Sequence, residues 1–184
     1  MILKNINKSY QNKKILNDVS LEIPDKGIFG VFGPSGGGKT TLLRIICGLE
    51  KPDSGEIIGS KKFSVVFQED RLMPEMTALE NVAAVSDEKT ALGWLEKVGL
   101  SESVHKKPAE LSGGMSRRVA IARALAFDAD ALILDEPFKG LEEELKEKTA
   151  GLISEYAQKR AVILVTHDER LKKLAADFIE ITLY

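Results

Sequence analysis

Apolar positions along the chain fall into three patterns, and each predicts a kind of element. Near alternation over 15–23, with Leu16, Val19, Leu21 and Ile23 apolar, predicts a half-buried strand, and 2–7 predicts its partner across a short polar turn at 11–14. Continuous apolar runs at 28–32, 63–67, 131–134 and 161–165, β-branched in several places, predict strands buried on both faces. Helical spacing governs most of the remainder. Helices are expected at 39–48, from Thr77 onward, at 87–98 with Leu92, Leu95 and Val98 on one face, from Ser112 to about Phe127, at 141–158 and at 169–176. Thr77 and Glu80 have the spacing of a capping box. Glu142 with Lys146 and Glu144 with Lys148 are candidate i,i+4 pairs on a solvated helix face. Turn signals around Pro24 and Gly27 and around Pro52 and Gly55 separate these elements; 56–58 is a short strand and 178–183 the last one.

Strands alternating with helices predict an α/β fold with a largely parallel sheet covered on both sides, preceded by an antiparallel β part. The 184 residues suffice for one core, so one domain is expected: a core of 1–72 and 128–184 with a small helical subdomain at about 73–127. Hydrophobic content of 43% and charged content of 29% are those of a soluble globular protein. The net charge of −2 shows no strongly basic surface and by itself argues neither for nor against a nucleic-acid partner; none is expected. No apolar run is long enough to cross a bilayer, and no secretory signal opens the sequence. The single cysteine, Cys47, has apolar neighbours and reads as a core thiol in a reducing compartment.

One stretch changes the picture from fold to chemistry. Residues 33–41, GPSGGGKTT, join the apolar run at 28–32 to the helix at 39–48. Gly33 and Gly38-Lys39-Thr40 fit the phosphate-loop pattern G-x-x-x-x-G-K-[ST] in its strand–helix context. Glycines let a backbone wrap closely around a polyphosphate, and amides at a helix N-terminus favour anions. Lys39 supplies a compact positive charge for the β- and γ-phosphates, and the Thr40 hydroxyl is a candidate Mg²⁺ ligand.

Three other strand ends carry polar groups. The run 131–134 ends in Asp135 and Glu136. At the C-terminal edge of a parallel sheet, Asp135 can hold Mg²⁺ and Glu136 can act as general base on a water attacking the γ-phosphate. Taken alone the pair reads as solvated carboxylates; the phosphate loop gives it a role. The strand at 161–165 runs into His167, within reach of the same phosphate, and the strand at 63–67 runs into Gln68, a candidate sensor of Mg²⁺ and water. Leu111-Ser112-Gly113-Gly114-Met115 opens a helix, with Ser112 as its cap, and forms a second candidate anion site.

In this order the motifs resemble the nucleotide-binding subunits of ATP-binding-cassette (ABC) transporters. The resemblance runs from Tyr10 to about Asp168, and LSGGM followed by SRRVAIARALA separates this family from other phosphate-loop NTPases. It implies that Tyr10 stacks on adenine, and that Gly33, Pro34, Ser35, Gly36, Gly37, Gly38, Lys39, Thr40 and Thr41 form the first nucleotide motif. It further implies that Thr40, Gln68 and Asp135 surround Mg²⁺, that Glu136 is the base and that His167 is the switch. Ser112, Gly113 and Gly114 then reach the ATP of an opposite subunit in a head-to-tail dimer. The segment from Val66 to Pro74, with Thr77, Glu80, Asn81 and Val82, resembles the importer branch for nitrate, sulfonate or taurine-type solutes. That implies a transmembrane permease contacting residues 69–82, a solute-binding protein in the full system, and a cytoplasmic location on the inner face of the membrane.

The sequence also departs from the family. Lys139-Gly140-Leu141-Glu142 replaces the usual small residue–Leu–Asp of the D-loop, Met115 stands where glutamine is common, and Ser116 where a basic residue often does. By the same resemblance the chain is shorter than usual between Lys39 and Gln68 and after His167, and adds no C-terminal regulatory domain. None of these changes removes a phosphate or metal ligand. Two rival readings are a soluble ABC ATPase of regulation or assembly and a cassette that closes on ATP without turnover. Substituting Lys39→Ala is expected to remove most nucleotide affinity, measured by calorimetry with ATP; unchanged binding would contradict the phosphate-loop reading.

Overall fold

The computed structural model describes residues 1–11 and 13–181. Strands β1 (Ile2–Tyr10) and β2 (Lys13–Glu22) form an antiparallel hairpin, then β3 (Gly27–Phe32) leads through the glycine loop into helix α1 (Lys39–Ile46). Strands β4 (Ser54–Ile58) and β5 (Phe63–Val66) follow, then helices α2 (Ala78–Ala83), α3 (Glu88–Lys97) and α4 (Gly113–Ala126). Strand β6 (Ala131–Asp135), helix α5 (Glu143–Ala157), strand β7 (Ala161–Thr166), a 3-10 stretch (Glu169–Leu174) and strand β8 (Asp177–Glu180) complete the order. The strands make two sheets: three antiparallel strands in the order β2-β1-β4, and five parallel strands in the order β5-β6-β7-β3-β8.

The continuous apolar runs are the central parallel strands. Every residue of β6 and β7 is buried, because side chains alternate between two covered faces. One face sends Phe29, Val31, Ile133, Ile163 and Val165 against α1 and the antiparallel sheet, through Leu42, Leu43, Leu3, Leu16 and Ile23. The other sends Ile28, Leu132, Leu134, Val162 and Leu164 against α4 and α5, through Ile121, Leu125 and Ile153. A third cluster joins α2, α3 and α4 through Val82, Ala91, Leu95, Val98 and Val119. Helix α4 therefore presents Ile121 and Leu125 to the sheet and Val119 and Ala122 to the helices.

Several expectations need correction. The hairpin strands are longer than predicted because Lys8, Ser9 and Tyr10 pair with Leu16, Lys14 and Lys13. Leu92 is 41% exposed; the inward face of α3 is Ala91, Leu95 and Val98, spaced i, i+4, i+7. Glu142 occupies the N-cap position of α5 without a side-chain capping bond, and Lys146 pairs with Glu143 at 3.1 Å rather than with Glu142. The segment after His167 forms 3-10 turns where a helix to 176 is predicted. The last strand is described to Glu180; Thr182 and Leu183 of the predicted strand lie outside the described residues. The capping box forms as its spacing predicts: Glu80 N donates to Thr77 Oγ1 at 3.2 Å, and Thr77 N to Glu80 Oε2 at 2.7 Å. Cys47 is half-buried, and burial pushes its thiol up to about 11.

Segment 73–77 is tied down by one fully buried amide. Asn81 Oδ1 accepts from Met73 N at 2.8 Å, and Asn81 Nδ2 lies 3.0–3.1 Å from the carbonyls of Met73, Met76 and Thr77. Substituting Asn81→Ala removes all of these side-chain bonds, including the acceptor for the Met73 amide, and is expected to cost about 2–3 kcal/mol of stability in urea denaturation.

Candidate functional site

The register of the parallel sheet brings separate motifs to one edge. Phe32 pairs with Thr166, and Asp135 with Val165, so β3, β7 and β6 end within one residue of the same level. The next residues out are Gly33, His167 and Glu136. This is the C-terminal edge of the strands, where open α/β sheets bind ligands.

Backbone geometry shapes the loop that leaves β3. Gly33 has φ 141°, and a Cβ there would fall 2.2 Å from the carbonyl oxygen of Ile181. Gly38 caps α1 with φ 97°, and a Cβ would fall 2.9 Å from both Ile15 Cγ2 and Ile15 O. Only glycine fits either position without strain. The first amides of α1 have no partner in the helix and face the loop's concavity. Lys39 is 8% exposed, and its ammonium donates to the carbonyls of Gly33 (2.8 Å) and Pro34 (2.9 Å). Burial lowers its pKa; the carboxylates of Glu136 and Asp135 oppose that shift.

The two carboxylates differ in setting. Asp135 is 4% exposed, and burial raises its pKa, with Glu136 adding to the rise and Lys39 and Arg117 acting against it. Glu136 has a left-handed backbone, φ 51°, an uncommon conformation for a side chain of this length. Its amide donates to Val165 O at 2.9 Å. Its carboxylate accepts from Thr166 Oγ1 (2.9 Å) and from the His167 amide (2.9 Å), and lies 2.6 Å from His167 Nδ1. The end of β7 thus orients the carboxylate that follows β6.

A cavity of about 510 Å³ unites these groups. Tyr10, Ser35, Gly36, Gly38, Lys39, Thr40, Thr41, Gln68, Asp135, Glu136 and His167 line it, together with Ile15 and Lys139. Gly33, Pro34 and Gly37 contribute loop backbone: Gly33 and Pro34 seat Lys39, and Gly37 N donates to Pro34 O at 3.1 Å. Tyr10, 42% exposed at the cavity mouth, donates its hydroxyl to Glu50. Gln68 follows β5 by two residues, in a loop rather than at the strand end the sequence suggests. Ser112, Gly113 and Gly114 are not among the lining residues. Ser112 caps α4 by accepting from Met115 N at 3.3 Å. A Cβ at Gly114 would meet Gly140 O at 3.1 Å, so the signature packs directly on the Lys139–Glu142 loop.

Sequence reasoning missed Thr166, Glu50, Lys139 and the part played by Arg117. Thr166 looks like one more β-branched strand residue; its place immediately before His167 is the signal that marks it. Glu50 carries no motif, and Lys139 stands out in the sequence only as a departure in the D-loop, not as a residue of the cavity.

The comparisons with known proteins agree with this geometry. Residues 16–139 match the family described as ABC transporter. The chain belongs to that family. It is 39% identical over 173 residues to the aliphatic sulfonates import ATP-binding protein SsuB 3 of Rhodococcus jostii, covering 90% of this chain and 65% of that one. It is 36% identical over 201 aligned positions to the sulfate/thiosulfate import ATP-binding protein CysA of Mesostigma viride, covering 97% and 58%. The chain therefore spans less than two thirds of the length of either relative. Among solved structures it is similar to the dimeric post-hydrolysis state of the ATP-binding cassette MJ0796 bound to ADP and Pi, with a TM-score of 0.90, 32% identity, and 99% and 95% coverage.

The ABC family implies ATP with Mg²⁺, and the cavity fits both. A loop in which Gly33 and Gly38 admit no Cβ leads into a helix N-terminus with a desolvated ammonium, and a buried carboxylate lines the same cavity. Among the described residues no helix is long and apolar enough to cross a membrane.

Asp135 also predicts a trade of stability for function. A carboxyl whose folded pKa lies above its unfolded value binds more protons folded than unfolded. Its cost is absent below the ordinary carboxylate range and fully present at neutral pH, above the raised value. Asp135→Asn is expected to raise the melting temperature at pH 7, by about 2–4 °C for each kcal/mol recovered, with the gain shrinking at acidic pH. A lower melting temperature at pH 7 would contradict this account.

Proposed function

We propose that this chain is the ATP-binding and hydrolysing subunit of a membrane importer. It works as one of two subunits in a head-to-tail dimer on the cytoplasmic face of the membrane, joined to a permease through residues 69–82, in a system with a solute-binding protein. The observation that carries the reading is the single cavity lined by Ser35, Gly36 and Gly38–Thr41 of the loop with Gln68, Asp135, Glu136 and His167, while Ser112–Gly114 line none of it. A chain with two phosphate-binding helix ends at separate places is suited to a composite site that takes one end from each subunit. The importer assignment draws on the relatives, both named as import ATP-binding proteins.

Each side chain then has a task. The loop amides and Lys39 neutralise phosphate charge, and Tyr10 offers its exposed ring to the base. Thr40, Gln68 and Asp135 are the residues that hold Mg²⁺, which supplies charge neutralisation at the phosphate oxygens. Glu136 accepts the proton of the attacking water as its oxygen bonds to the γ-phosphorus and the bond to the bridging oxygen breaks. Thr166 and His167 keep that carboxylate aimed by their bonds to it. Binding energy at the composite site closes the dimer, and loss of the γ-phosphate reopens it; that difference in affinity is what a membrane partner can use.

Glu136→Gln is expected to bind Mg-ATP, abolish turnover, and shift from monomer to dimer in light scattering when Mg-ATP is added. Adding Ser112→Arg is expected to remove the shift while leaving binding intact. Normal steady-state hydrolysis by Glu136→Gln would assign the base elsewhere. A shift that survives Ser112→Arg would refute the composite site.

A further inference from the structure

A group of buried charge lies outside the cavity, between α4 and the loop after β5. Arg117 of α4 is 4% exposed. Its Nη1 donates to Phe67 O at 2.7 Å, its Nη2 donates to the Gln68 carbonyl, and its Nε lies 3.1 Å from Asp70 Oδ1. Further along α4, Arg123 donates to the carbonyls of Asp70 (3.2 Å) and Arg71 (3.0 Å) and to Asn81 Oδ1 (3.3 Å). The loop is thus fastened to a helix of the third cluster by charged donors, which make the stronger hydrogen bonds.

The placement of Arg117 has a specific geometric effect. Its planar fork holds two consecutive carbonyls, and a fork of that kind fixes direction as well as distance. Fixing the peptide planes on both sides of the Gln68 Cα sets where the Gln68 side chain leaves the backbone, and Gln68 lines the cavity. The same helix begins at Ser112–Gly114. Arg117 lies five residue steps along the helix from Ser112, about 7.5 Å on the axis, too short a span to bend appreciably. A shift imposed at the signature end therefore arrives at the Gln68 carbonyl.

We propose that Arg117 is a positioning residue that couples the two nucleotide half-sites of one chain, conveying engagement of Ser112–Gly114 by the other subunit's phosphate to Gln68 in the chain's own cavity. The inference rests on the composite-site reading above. A purely structural Arg117 would steady the loop equally with and without a partner; a coupling Arg117 steadies it more once the dimer closes.

Amide hydrogen exchange on the Glu136→Gln background separates these cases. Mg-ATP is expected to slow exchange at both 33–41 and 67–71, the latter by about tenfold. With Ser112→Arg or with Arg117→Met added, 33–41 is expected to keep its protection and 67–71 to lose its nucleotide-dependent gain; light scattering confirms that Arg117→Met still dimerises. Arg117→Lys, which keeps the charge and loses the fork, is expected to retain part of the gain. It carries the test if Arg117→Met shows no cooperative melt. A gain at 67–71 as large in the Arg117 variants as in the parent, or no gain there in a parent that protects 33–41, overturns the coupling. Absence of protection at 33–41 in the parent instead overturns the nucleotide reading.

Discussion

Parallel pairing in register is the constraint on which the rest of the structure depends. Strands β3, β7 and β6 must align their apolar residues with two covered faces, and doing so leaves no freedom in where each strand ends. The phosphate loop, the two carboxylates and Thr166 with His167 become neighbours because Phe32 faces Thr166 and Asp135 faces Val165. No contact among the polar groups has to create this proximity. A one-residue slip would turn Ile133 and Leu134 to opposite faces and move Asp135 away from Lys39 together.

Against that scaffold the site holds groups at a cost. Lys39 and Asp135 are both buried, and burial disfavours the charged form of each. Glu136 adds an uncommon backbone conformation. These features sit at one sheet edge, while behind that edge β6 from Ala131 to Leu134 and β7 from Ala161 to Val165 are buried and apolar. The core supplies the stability that the edge spends.

Much of this was legible in the sequence, for physical reasons. Strands covered on both faces read as unbroken apolar runs, so β3, β6 and β7 were visible to within a residue or two. Phosphate chemistry needs particular residue types at fixed spacing, so Gly33, Lys39, Thr40, Asp135 and Glu136 stood out. What stayed hidden depends on tertiary contact. Arg117 in an amphipathic helix looks like a solvent-facing residue, and its burial follows from carbonyls fifty residues earlier in the chain. Leu92 has helical spacing with Leu95, and only the packing of α2 and α4 decides which side of α3 turns inward. Thr166 hides among β-branched strand residues, and φ at Glu136 leaves no mark in its side chain type. The 3-10 turns after His167 replace a helix because periodicity over so few residues cannot distinguish the two.

The seat of Lys39 on Gly33 and Pro34 means that the loop supplies its own competitor. An arriving anion exchanges one set of oxygens around the ammonium for another, and only the difference counts toward affinity. Two carbonyl dipoles set a threshold: a single weakly basic ion gains little by displacing them, whereas a group offering several charged oxygens at once gains much. The resting contact therefore acts as a filter on ligand charge, screening out small monovalent ions before shape or base identity is tested.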